Sequence, residues 1–317
     1  MPRGKDIKII SGNSNIHFAE AICAKLGQNL CDVLVQTFPD GEISVSMNES
    51  VRGSDVFIVQ STCRPVNSHL MEMLILIDAC KRASAYRITA VMPYFGYAQQ
   101  DRKFKSRDPI SAKLVANLIT AAGADRVLTM DLHATQIQGF FDIPVDHMLA
   151  AQLFAAHYQN HFPDVSDVMV VSPDVGGVRR ARAFADRMGM ELAVMDKRRD
   201  EENQVEIMNI IGDVEGKRII LYDDIVETAG TLCKAAIALE EIGKAREVYS
   251  CASHGVLSEN AIELVENSNI KELLLTDTIP FPNAELSDKI KYITAAQLFT
   301  DAIDCIFNEQ AVSTVFE

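Results

Sequence analysis

No apolar stretch in this 317-residue chain approaches the roughly 20 residues that a membrane-spanning helix needs, and runs such as 168–171 are far shorter. A membrane partner is therefore not expected. Residues 1–8 hold no apolar signal core. Positive charge is also scarce: 30 Lys and Arg stand against 44 Asp and Glu, for a net charge of −14. That is the wrong sign for a protein that grips nucleic acid through its phosphates, so nucleic acid is not an expected partner. The seven cysteines (Cys23, Cys31, Cys63, Cys80, Cys233, Cys251 and Cys305) are odd in number and form no C-x-x-C pair. They read as the reduced thiols of a cytoplasmic protein, with neither a disulfide frame nor a zinc site. No GxxxxGK[ST] run occurs, which excludes a P-loop kinase. No low-complexity tract and no proline- or glycine-rich linker interrupts the chain, and with 48% hydrophobic and 23% charged residues it should be ordered throughout.

What is present is the alternation of an α/β protein. Short β-branched runs at 7–11, 56–60, 88–92, 126–130, 168–172, 191–195, 218–222, 247–252 and 272–276 predict strands, with helical stretches filling most of the gaps. The stretch 67–83 places Leu70, Met73, Leu74 and Ile77 on one face at helical spacing. This length suits two domains of ordinary size. An internal echo agrees: residues 51–60 (VRGSDVFIVQ) resemble residues 214–223 (VEGKRIILYD), and each leads through a loop into a helix and another strand. The boundary is placed near His147, giving domains 1–147 and 148–317.

The two copies differ after the strand. The first continues Ser61-Thr62-Cys63-Arg64-Pro65, the second Asp223-Asp224-Ile225-Val226-Glu227-Thr228-Ala229-Gly230-Thr231. Only the second is suited to an anion. A helix start there offers free backbone N–H groups and a dipole worth about half a positive charge. Thr228 and Thr231 add hydroxyl donors, and Gly230 lets backbone approach a ligand. Paired carboxylates at a strand end suit a vicinal diol, since each accepts hydrogen bonds from neighbouring hydroxyls. Phosphate and diol together describe a ribose phosphate. The plain alternative is a helix cap with Thr228 as the capping residue, which leaves two adjacent acids at the end of an apolar strand unexplained.

Residues 223–231 resemble the phosphoribosyl-binding signature shared by phosphoribosyltransferases and ribose-phosphate diphosphokinases. Residues 131–147 (DLHATQIQGFFDIPVDH) closely resemble the signature of the diphosphokinases, also called phosphoribosyl pyrophosphate synthetases. Phe38-Pro39-Asp40-Gly41-Glu42, Ser172-Pro173-Asp174 with Gly176-Gly177, and Asp196-Lys197-Arg198-Arg199 lie in that family's order and spacing. The similarity runs over essentially the whole chain. It implies two similar phosphoribosyltransferase-like domains, each a mainly parallel sheet flanked by helices. It also implies a reaction in which the 1-hydroxyl of ribose 5-phosphate attacks the β-phosphorus of ATP and AMP leaves.

By this resemblance His133 and Asp174 contact Mg²⁺, an ion bound mainly through ATP phosphates and water. His133 taken alone would be a structural histidine. Lys197 and Arg199 resemble the catalytic cations of a mobile loop, with Arg199 also facing the ribose phosphate. Composition alone would make 196–202 a solvated charged loop, whereas strands expected on either side at 191–195 and 205–210 make it a lid candidate. Phe38 would stack on adenine, with Asp40, Gly41 and Glu42 reading its edge, although the Pro-Asp-Gly core could be a simple turn. Gln99 and Gln100 fall on the ATP side, and Asp223, Asp224, Glu227, Thr228, Ala229, Gly230 and Thr231 on ribose 5-phosphate. The family's adenine loop serves a neighbouring subunit's site, so the resemblance implies a homo-oligomer, a hexamer built from dimers. Three positions depart from the pattern: Gln99 where the family usually has arginine, Glu227 for the usual aspartate, and Val175 where histidine is common. These departures leave a second reading, a catalytically silent regulatory relative.

Overall fold

The computed structural model describes residues 4–199, 206–281 and 287–315, and among them the side chains of 197–199 and 206–208 are not described. The chain forms two compact units, Met1–Leu149 with Thr278–Pro280 and Thr294–Glu317, and Ala150–Asp277 with Phe281–Ile293.

The first unit runs β1 (Ile7–Ser11), α1 (Ile16–Leu26), β2 (Val33–Thr37), β3 (Ile43–Met47), β4 (Asp55–Val59), α2 (Val66–Arg82), β5 (Arg87–Met92), α3 (Ser111–Ala122), β6 (Arg126–Met130), a 3₁₀ turn Thr135–Phe140 and β7 (Val145–Met148). Its sheet is parallel in the order β1-β4-β5-β6-β7, while β2 and β3 form a separate antiparallel ribbon. Every residue of β4 is buried, as expected for a strand inside a parallel sheet covered on both faces. Helix α2 buries Met73, Leu76, Ile77 and Cys80 and leaves Leu70 and Leu74 half-buried, so its inward face is rotated slightly from the one its apolar spacing predicted.

The second unit opens with α4 (Ala151–His161) and continues β8 (Val168–Ser172), α5 (Val178–Met188), β9 (Glu191–Arg199), β10 (Glu206–Ile211), β11 (Arg218–Val226), α6 (Gly230–Glu241), β12 (Glu247–Gly255), α7 (Ala261–Glu266), β13 (Ile270–Thr276) and β14 (Ile290–Ile293). The sheet order is β10-β9-β8-β11-β12-β13-β14, parallel except for β10. Strands β8, β11, β12, β13 and β14 repeat the path of β1, β4, β5, β6 and β7, each set interrupted after its first helix by an antiparallel pair. The echo between 51–60 and 214–223 thus falls on topologically equivalent strands, β4 and β11.

The end of the chain departs from the division at 148–317. Helix α8 (Ala296–Phe307) groups with the first unit, where Phe299 meets Phe18 of α1 edge-on at 5.3 Å and Arg87 Nη2 donates to the Ile306 carbonyl at 3.1 Å. Arg87 also makes a two-pronged pair with the buried Asp55, Nε to Oδ1 and Nη2 to Oδ2 both at 3.0 Å. Apolar spacing marks α8 as a helix, but nothing in its own sequence names the core that will receive it.

Candidate active site

Strand β11 does not stop at Tyr222, as its apolar run suggested, but passes through both acids to Val226. Its pairing with β8 covers only Arg218 to Leu221, whereas β12 accompanies it further, with Asp223 opposite Ala252 and Val226 opposite Gly255. The acids therefore sit where the carboxyl end of the strand outruns one neighbour, the place where parallel sheets leave a crevice for ligands. Asp224 is buried, with 4% of its side chain exposed, and Asp223 keeps 27%. Arg180, from the first turn of α5, places Nη1 2.7 Å from Asp224 Oδ1 and 3.4 Å from Asp223 Oδ1. Asp223 Oδ1 also accepts the N–H of Asp224 at 2.8 Å. Burial, followed by repulsion from Asp224, pushes the Asp223 carboxyl well above the usual carboxylate range, and Arg180 opposes the rise only in part.

The loop after the acids leads directly to a helix N-terminus. Thr228 is not the cap: the N-cap of α6 is Ala229, left-handed at φ 59°, and no side-chain bond closes the helix end. The first amides of α6 have no intrahelical partner and point along its axis. Ala229 carries a side chain in a region where L residues are strained, a cost of about 1 kcal/mol. Gly230 next to it is not demanded by the protein's own packing, since a Cβ there would meet only Thr228 Oγ1, at 3.7 Å. The space its missing side chain leaves is open to a ligand. Glu227, Thr228 and Thr231 are exposed, and the Glu227 carbonyl is held by Ser258 N–H at 2.8 Å.

Asp174 lies in the turn between β8 and α5. Its Oδ1 accepts Gly177 N–H at 2.7 Å and its carbonyl accepts the Ser172 hydroxyl at 2.7 Å, so it closes the turn from which Arg180 projects. Gly177 packs closely there: an added Cβ would stand 2.9 Å from Ser172 Oγ, and that hydroxyl would have to shift. Lys197 and Arg199 belong by backbone to β9, opposite Met208 and Glu206 of β10. The charged run 196–199 is thus strand rather than loop, drawn into the sheet by that antiparallel partner. The side chains of Lys197 and Arg199 lie outside the described residues.

In the first unit, residues 38–42 form the tip of the β2–β3 ribbon. Phe38 N–H donates to Glu42 O at 2.7 Å, Gly41 N–H to Phe38 O at 2.9 Å, and Glu42 N–H to Asp40 Oδ1 at 3.1 Å. Gly41 has φ 94°, a value that side chains rarely adopt. This turn presents the Phe38 ring, 48% exposed, to its surroundings. Gln99 and Gln100 are exposed in the segment before α3, where Gln100 Oε1 accepts the Ser111 hydroxyl at 2.5 Å. His133 is exposed just past β6, next to a turn in which Asp131 has φ 37°. The turn is braced by His147, whose Nε2 accepts Leu132 N–H at 2.9 Å while its Nδ1 faces the Gln138 amide at 3.2 Å. Among the described residues no group of three or more His, Cys, Asp or Glu is arranged to hold a metal ion.

The site residues that sequence reasoning missed are supports. Arg180 stands in the run Gly-Gly-Val-Arg-Arg-Ala-Arg, where three arginines are equally eligible until helix phase turns Arg180 inward and leaves Arg179 and Arg182 exposed. His147 closes the 131–147 motif and served only to mark a boundary, yet its ring holds the backbone beside His133.

Residues 7–123 match the family profile described as the N-terminal domain of ribose phosphate pyrophosphokinase, and residues 201–317 match the phosphoribosyl synthetase-associated domain. The chain is 56% identical over 314 residues to a ribose-phosphate pyrophosphokinase of Clostridium perfringens, covering 99% of this chain and 98% of the relative. It is 57% identical over 310 residues to that of Caldanaerobacter subterraneus subsp. tengcongensis, covering 98% of each. The crystal structure of phosphoribosylpyrophosphate synthetase from Mycobacterium smegmatis superposes with a TM-score of 0.91 at 41% identity, over 96% of this chain and 100% of that one. On whole-length identity and a common fold, the chain belongs to the ribose-phosphate pyrophosphokinase family.

Proposed function

We propose that this enzyme moves the β,γ-diphosphoryl group of ATP onto the 1-hydroxyl of ribose 5-phosphate, giving 5-phosphoribosyl 1-diphosphate and AMP for nucleotide biosynthesis. The observation that carries this reading is the pairing, on one strand-to-helix turn, of two adjacent acids with an uncapped helix N-terminus. The amides of Gly230 and Thr231 and the hydroxyls of Thr228 and Thr231 would take the 5-phosphate. Asp223 and Asp224 would take the ribose diol. The exposed Phe38 ring would stack on adenine, and Asp40, Gly41 and Glu42 would read its edge, with Gln99 and Gln100 on the same substrate.

In the reaction the sugar's 1-oxygen forms a bond to the β-phosphorus, the bond from that phosphorus to the α-bridging oxygen breaks, and the oxygen leaves with AMP. The hydroxyl proton is lost to solvent. Lys197 and Arg199 would neutralise the charge that grows on the transferring group, as cations do in other phosphoryl transfers. Mg²⁺, when bound, supplies charge neutralisation of the ATP phosphates. By the family resemblance His133 and Asp174 would each contribute a minority of that ion's ligands, with phosphate and water supplying the rest. The oligomer follows the same reading: a homohexamer in which each adenine loop completes a neighbour's site. Identity over the whole length with relatives named as pyrophosphokinases supports the active enzyme over the silent regulatory relative.

One assay separates the readings. Purified protein with ATP, Mg²⁺ and ribose 5-phosphate should yield AMP and a 1-diphosphorylated sugar. Absence of turnover would favour the silent relative. Pyrophosphate release from that sugar in the presence of a nucleobase would mark a phosphoribosyltransferase instead.

A further inference from the structure

Two neighbouring carboxylates with little access to water repel each other, and neither can hold a diol in a defined geometry unless something sets their directions. Asp223 and Asp224 have such a device in Arg180. Its Nη1 stands 2.7 Å from Asp224 Oδ1 and 3.4 Å from Asp223 Oδ1, and the three side chains expose only 19%, 4% and 27% of their surface. The guanidinium is a planar, permanently charged fork, and a lysine ammonium at the same place could not reproduce its directional contacts. The mounting of Arg180 is itself anchored. It occupies the first turn of α5, whose entry turn is closed by Asp174 Oδ1 on Gly177 N–H at 2.7 Å.

We infer that Arg180 is the positioning residue of the ribose site: it clamps Asp224 as a fixed acceptor and leaves the more exposed Asp223 as the carboxylate that adjusts to the sugar. The inference rests on the reading of these acids as the diol's partners. Arg180 acts through them and makes no bond to the reacting atoms. Its loss therefore weakens ribose 5-phosphate binding before it touches the chemistry or the nucleotide. With Arg180 absent, the nearly buried Asp224 loses the guanidinium contact at 2.7 Å that fixes its direction, and the diol loses one oriented acceptor.

The test is steady-state kinetics of Arg180→Ala and Arg180→Lys with ATP and ribose 5-phosphate varied separately. Arg180→Ala should raise KM for ribose 5-phosphate by about 10- to 100-fold, the loss expected for a charge-assisted contact, with KM for ATP within about 2-fold. Arg180→Lys should show a smaller rise, on the order of 5-fold, because charge is kept and fork geometry is not. Methylguanidinium should restore part of the alanine variant's rate at limiting ribose 5-phosphate, and methylammonium should not. An unchanged KM for ribose 5-phosphate in both variants overturns the assignment. So does a parallel rise for both substrates without guanidinium rescue, which is what a general distortion of the site would give. If the alanine variant does not fold, the lysine variant decides on the same two constants. Wild-type turnover is the control: its absence would remove the proposed reaction itself, whereas normal wild-type turnover with unmoved variants removes only Arg180.

Discussion

Replacing Phe38 by alanine tests the nucleotide side of the site. The ring is 48% exposed at the tip of the β2–β3 ribbon, so it contributes little to the core. The turn that presents it is closed by backbone bonds, Phe38 N–H to Glu42 O at 2.7 Å and Gly41 N–H to Phe38 O at 2.9 Å, and neither needs the side chain. Truncation should leave the loop in place and remove only a stacking surface. Stacking of a base on an aromatic ring is worth about 1–3 kcal/mol, which corresponds to about a 5- to 150-fold rise in KM for ATP. Thermal stability should change by no more than about 2 °C, as for other exposed substitutions. The assay is AMP formation at saturating ribose 5-phosphate with ATP varied, together with a melting curve. Phe38→Trp should restore the wild-type constant. An unchanged KM for ATP would refute the stacking role, and a large fall in Tm would show that the ring serves the fold instead.

Three other variants probe the remaining parts. Lys197→Ala should lower turnover by about 10³- to 10⁵-fold while ribose 5-phosphate binding, measured by calorimetry, stays nearly intact; a wild-type rate would remove the lysine from the mechanism. Gln99→Arg restores the cation that the family usually carries and should lower KM for ATP by about 10- to 150-fold, from a charge-assisted contact of about 1.5–3 kcal/mol; an unchanged value would mean that other residues make the contact. Asp223→Asn should raise Tm near pH 8 while weakening ribose 5-phosphate binding. Burial and Asp224 raise the folded-state pKa of Asp223, so the folded protein binds more protons than the unfolded chain and its stability declines as pH climbs through that range. The asparagine variant lacks this term, and its advantage should vanish as the pH falls and the wild-type carboxyl protonates; a wild type at least as stable at pH 8 would contradict the reasoning.

The alternation of apolar runs and helical stretches was readable because a parallel sheet covered on both faces buries nearly every residue of its inner strands. Strands β1, β6 and β8 begin and end where their own residues place them. Strands β2, β3, β7 and β14 were not anticipated: all four contain partly exposed positions, and β7 and β14 are only four residues long. The ends of β9 and β11 were drawn too short. Each passes into charged residues that only a neighbouring strand can hold in a sheet, β10 in one case and β12 in the other.

The chemistry of the turn at 223–231 was written locally, since adjacent acids followed by a small-residue turn and a helix start are consecutive in the chain. Other features depend on residues far apart. The pull of Arg180 on Asp224 spans 44 positions, the brace of His147 on Leu132 spans 15, and the return of α8 to α1 pairs Phe18 with Phe299. Local composition and spacing therefore determined the buried inner strands, the helices that alternate with them and the turn that joins paired acids to a helix start, because those properties reside in neighbouring residues. Which arginine faces the acids, how far the acids are withdrawn from water and which core receives the last helix were decided by tertiary packing alone. Burial and charge pairing are properties of what surrounds a residue, and folding assembles those surroundings from distant parts of the chain.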